Sequence, residues 1–94
     1  MNFREFRETL SLPVPPAHLR PHLLALWYDA KDDWQKSHTT IQDLPDTDAA
    51  WIHAYLHRKE GDIGNADYWY LRAGKKRPDV TLEEEWAIIA KELL

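Results

Sequence analysis

From Phe3 to Leu93 the apolar residues return every three or four positions, and no stretch alternates with period two long enough to make a strand. That spacing restricts the chain to helices, and polar caps say where each begins. Asn2 can cap a short first helix carrying Phe3, Phe6 and Leu10. Ser11 to Pro16 holds three prolines and reads as an extended linker. Pro21 suits the first turn of a second helix, whose stripe is Leu19, Leu23, Leu26, Trp27 and Ala30. Asp32–Asp33 breaks that stripe and can cap a third helix, with Trp34, Ser37, His38 and Ile41 on one face. Leu44-Pro45-Asp46 is a turn, and Thr47 is a good N-cap for a fourth helix ending at Gly61. Asp62 opens a fifth that stops at Gly74, with Arg72, Lys75 and Lys76 at its negative end. Thr81 and Glu84 form a capping box, and Glu83, Glu84 and Glu85 sit at the positive end of a sixth helix striped by Leu82, Trp86, Ile89, Ala90 and Leu93. The expected helices are 2–10, 19–31, 33–44, 47–60, 62–73 and 81–93.

The fold class is therefore all-α, with five to six helices in antiparallel hairpins, because connections of about two residues leave neighbours no other arrangement. A chain of 94 residues is one domain. It divides into an N-terminal helix and Pro-rich linker (1–16), a first hairpin (17–46), a second hairpin (47–78) and a C-terminal capping helix (79–94). Hydrophobic residues at 44% exclude a disordered chain, and the absence of Cys excludes disulfides and thiolate chemistry. No apolar run approaches the ~18 residues of a membrane span. Glu5 and Glu8 interrupt any secretory signal, so a cytoplasmic protein is expected. The net charge of -4 is evenly spread, with 5 basic and 7 acidic residues up to position 47 and 7 and 9 beyond it. Nucleic acid needs a concentrated positive field, and this surface lacks one. Most of the 5 Trp, 4 Tyr and 2 Phe are expected to fill the core.

Ala54, the Gly61-Asp62 turn, Ala66, Tyr70, Ala73 and Pro78 give the segment from Ala50 to Pro78 its character. It resembles a tetratricopeptide repeat, whose small residues let two helices approach and whose aromatic fills the gap between hairpins. Leu24, Ala25, Tyr28, Ser37 and Ile41 resemble a degenerate copy, with Asp32 in place of the turn glycine. Trp51-Ile52-His53-Ala54-Tyr55-Leu56-His57 and Tyr68-Trp69-Tyr70 are also similar to small bacterial proteins of unassigned function. The resemblance implies right-handed stacking of hairpins and binding of peptide segments from other proteins.

That register defines a concave surface: Trp51, Tyr55, Arg58 and Lys59 from the fourth helix, with His22, Leu26 and Asp29 from the second. Aromatics flanked by cations suit a peptide carboxylate or another anion. The function expected is a protein-protein interaction or scaffold module, its partner another protein or a second copy, with no nucleic acid and no membrane. A second reading is a small-ligand or metal-binding protein using His53 and His57, with Glu60 and Tyr70 nearby. The i, i+4 pair has ligand spacing, as does His18 with His22 if the second helix begins early. HEXXH is absent and local sequence supplies no third ligand, so no metal or cofactor is expected. The repeat register buries His53 and His57 against the fifth helix, with Asp67 or Tyr70 as partner, whereas the hydrophobic arc would leave them solvated. Arg72, Lys75, Lys76 and Arg77 read as helix C-capping. No phosphate loop is present and neither Ser11 nor Ser37 stands in a nucleophile's context, so the chain reads as a non-enzyme.

Overall fold

The computed structural model describes residues 1–94 and contains helices and no strand. The helices are α1 (Phe3–Glu8, continued by a 3-10 turn at Thr9–Ser11), α2 (Pro21–Ala30), α3 (Trp34–Ile41), α4 (Thr47–Glu60), α5 (Ile63–Arg72) and α6 (Leu82–Leu93). The all-α class is as the periodicity requires. Most boundaries follow the capping chemistry: the side chains of Asn2, Asp33, Asp62 and Thr81 each accept a backbone N–H of the helix they open. Gly61 closes α4 at φ +88, and the N–H groups of Gly61 and Asp62 reach back to Arg58 and His57. This left-handed stop suits glycine.

Three boundaries differ from expectation. α2 begins at Pro21 and not at Leu19, because Arg20 precedes a proline and is extended at ψ 152. His18 stands outside the helix at φ +68, so His18 and His22 share no helical face. α3 ends at Ile41, three residues early, where the chain turns toward Pro45. The cap of α4 is Asp46, one residue before Thr47, and its carboxylate accepts the Ala49 N–H at 3.1 Å.

α2 packs on α3, and α4 on α5, as the two most extensive pairs, and the seam between α3 and α4 joins the hairpins. α6 lies on α4 and α2. α4 is thus surrounded, and every residue from Ala49 to His57 is buried. Ala54 and Ala66, the small residues expected where α4 meets α5, are fully buried. Phe6 stacks on Trp86 at 5.8 Å and ties α1 to α6. Of the aromatics, Tyr68 alone is exposed. No helix is long and apolar enough to cross a membrane.

Candidate functional site

The face of α4 that turns toward α2 carries Trp51, Tyr55, Arg58 and Lys59. α6 covers much of it. Its stripe needs an apolar surface, and Glu85 on the same stripe enters with it. That carboxylate is 1% exposed and accepts hydrogen bonds from the Tyr70 hydroxyl at 2.6 Å, Trp51 Nε1 at 3.3 Å and Arg58 Nη1 at 2.8 Å. Arg58 also donates to the Val80 carbonyl, so one guanidinium fastens the approach to α6 as well as its first turn. Helix-start acids suggested capping for Glu85, but its position three residues after Leu82 and four before Ile89 turns it inward. Burial, reinforced by the bond to Glu85, raises the Tyr70 hydroxyl above its ordinary pKa.

A second buried carboxylate sits beside it. Asp29 accepts the Tyr55 hydroxyl at 2.7 Å and Lys59 Nζ at 2.8 Å. Burial and then the Asp29 charge raise the Tyr55 hydroxyl, keeping it a donor. His22 lies apart, its Nε2 2.6 Å from the Asp46 carboxylate. Burial works against that carboxylate's charge, but the hydrogen bonds from His22 and Ala49 prevail and lower its pKa. The residues expected on one open concave surface are therefore shared among three separate pairings. Trp51 and Arg58 serve Glu85, Tyr55 and Lys59 serve Asp29, and His22 serves Asp46.

What stays open is a cleft of about 500 Å³ between α1, the end of α2, α4 and α6. Tyr55, Lys59 and Asp29 line it, joined by Phe3, Arg7, Trp86 and Lys91, which sequence reasoning did not assign to a site. Arg7 and Lys91 lie 5.8 Å and 4.8 Å from the Phe3 ring centre, and neither is in an ion pair. Asp32 and Glu83 also line the cleft.

The histidines of α4 form the other polar centre. His53 and His57 are 6% and 7% exposed, which agrees with the repeat register and not with the hydrophobic arc. Their partners differ from those expected. His53 Nε2 lies 2.9 Å from His38 Nε2, and His53 stacks on Trp69 of α5 at 3.9 Å. His57 Nδ1 is 2.6 Å from Glu60 Oε1, and its Nε2 is 3.4 Å from the Asn65 amide. Asp67 instead pairs with Arg77 at 2.9 Å, and Tyr70 belongs to the Glu85 cluster. Trp34 stacks on His38 at 4.9 Å and anchors its own indole N–H on the Leu56 carbonyl.

Burial lowers the His53 pKa to about 4, helped by His38, His57 and Arg72. Burial, then His57, lowers His38 as well, against a smaller opposing effect of Glu60. Both rings are therefore neutral near pH 7.

No family model, curated protein or solved structure matches this chain. Function must come from the two centres themselves. The cleft can hold an amphipathic segment with a negative group at its Phe3 end. The histidine centre offers nitrogen lone pairs at a part-buried seam between α3 and α4. His38 was the residue missed there. Its place on the apolar stripe of α3, beside Trp34 and Ile41, was the signal that it faces inward.

Proposed function

We propose that this chain is a small interaction module, built of tetratricopeptide-like hairpins, whose cleft takes a carboxylate-bearing segment of another protein. One observation carries the reading: two cations without ion pairs, Arg7 and Lys91, flank Phe3 at the edge of a cleft floored by Tyr55 and Trp86. Lys59 is balanced by Asp29, Asp32 and Glu83 also line the cleft, and the two cations beside Phe3 are Arg7 and Lys91. Aromatic walls beside such cations suit a carboxylate next to an apolar side chain, and the volume lies in the range of ordinary ligand sites. The Gly61 turn between α4 and α5, with Ala54 and Ala66 buried in that pair, supports the hairpin type.

The test is a fluorescence-polarisation screen of short peptides with free C-terminal carboxylates against the same peptides amidated. Binding should favour the free carboxylate, weaken with salt, and fall at least tenfold in Arg7→Glu/Lys91→Glu. Equal binding of both peptide forms would remove the carboxylate from the reading. A mass that doubles with concentration, and halves in the double variant, would identify the partner as a second copy.

A further inference from the structure

We propose that His38, His53 and His57 form a binding site for a zinc-class divalent cation at the seam between the two hairpins. The inference is independent of the cleft and uses none of its residues. One ring nitrogen of each histidine lies within 4.8 Å of the other two. The ring centres are 4.6 Å (His38 to His53), 4.8 Å (His53 to His57) and 5.2 Å (His38 to His57) apart. Tetrahedral zinc with Zn–N bonds of about 2.0–2.1 Å requires nitrogens roughly 3.3 Å apart. The His38–His53 pair is already at 2.9 Å. The third nitrogen has at most about 1.5 Å to close, a shift within reach of side-chain torsions.

The proton arrangement favours a cation. Glu60 accepts from His57 Nδ1, which fixes the tautomer and leaves Nε2 with its lone pair. A carboxylate behind a histidine is the usual outer support of a metal ligand. Only the Asn65 amide, at 3.4 Å, approaches that lone pair. His38 and His53 share a single proton between two facing Nε2 atoms. Moving it to the Nδ1 atom of the same ring, by exchange with water, frees the last lone pair without changing the charge. Each of the three rings then offers one lone pair, on nitrogens within 4.8 Å of one another.

The ring planes are held in advance by Trp34 against His38 and Trp69 against His53. Nitrogen donors select zinc, nickel or copper over magnesium and calcium, which demand oxygen. The other acidic group near His57, Asp62, is committed to capping α5 through Asn65. Arg72, which lies 4.9 Å from the Trp69 ring, opposes a cation at His53, whereas Glu60 favours one at His38. The site joins α3 to α4, so an ion would clamp the first hairpin to the second.

The experiment uses the full chain stripped with chelator and titrated with Zn2+ by calorimetry and with Co2+ by visible absorption. One equivalent should bind at micromolar or tighter affinity, raise the melting temperature, and give the intense absorption of four-coordinate Co2+. His38→Gln should weaken binding at least tenfold. Glu60→Gln, which removes only the support behind His57, should weaken it by about tenfold. Circular dichroism of each variant verifies that it remains helical. His18→Gln should change nothing. Absence of Zn2+ binding to the folded wild-type chain at millimolar concentration would overturn the proposal. So would binding that His38→Gln leaves intact, since the ion would then be held by His57, Glu60 and Asp62 or elsewhere.

Discussion

The two polar centres against α4 differ in burial, Glu85 being 1% exposed and His38 only half-buried, and they are built on opposite principles. Around Glu85, donors converge on one carboxylate: a phenol, an indole and a guanidinium, drawn from α4 and α5 onto α6. Around His38, His53 and His57, each ring in its neutral form carries one N–H and one lone pair, and the facing Nε2 atoms of His38 and His53 share a single proton. The first centre is closed, because every group there has the partner its chemistry requires. The second is held by stacking and by a shared proton. A buried polar cluster is therefore evidence of a site only after donors and acceptors have been matched one against the other.

The contrast is most easily broken at Glu85. Glu85→Leu would leave Arg58 buried opposite an apolar group and the hydroxyl of Tyr70 without its acceptor. Breaking a buried ion pair costs about 3–5 kcal/mol. Urea denaturation should register a loss of that size, and a loss under about 1 kcal/mol would show that Glu85 is not the fastening of α6. Tyr70→Phe is a milder form of the same test. It removes one bond to a charged acceptor, worth about 1.5–3 kcal/mol, while preserving the ring.

Acidification should act on the other centre. His53 has its pKa lowered to about 4 in the folded chain, against an ordinary value of 6.5. The unfolded chain therefore takes up the proton first as pH falls, so stability declines from about pH 6.5 and levels off near pH 4. His38 shifts in the same direction. The expected loss is on the order of 1–2 kcal/mol after allowance for solvent at the ring edges. Denaturation of metal-free protein at pH 7 and pH 4.5 measures it, and a flat profile would mean that the rings protonate in place. The smallest effect belongs to neither centre. Leu71 is 77% exposed, and Leu71→Ser should stay within about 0.5 kcal/mol of wild type. A larger loss would mean that the outer face of α5 is covered in solution.

Ala66 sharpens the comparison between the apolar and polar parts of the α4–α5 contact. Its side chain is fully buried, and Ala66→Leu should cost about 1–3 kcal/mol through overpacking. A neutral result would place the close approach of the two helices elsewhere.

The sequence by itself determined the helices, most of their caps and the hairpin turns. Those features depend on residues within four positions of one another: Asn2 with Glu5, Asp33 with Lys36, Thr81 with Glu84. Two sequence patterns disagreed on His53 and His57, the repeat register burying them and the hydrophobic arc leaving them solvated, and the fold buries them. Tertiary structure also decided what they meet. His38 lies 15 residues from His53, and Glu85 lies 34 from Trp51 and 27 from Arg58. Those pairings follow from how α3 and α6 seat on α4, and no local pattern encodes a seating. The same packing closed the surface expected of Trp51, Arg58 and His22, and left open a cleft that borrows Phe3, Arg7 and Lys91 from the two ends of the chain. Capping energies are local and can be read residue by residue. A helix's choice of neighbour depends on the apolar area buried over the whole domain, which only the folded chain sums.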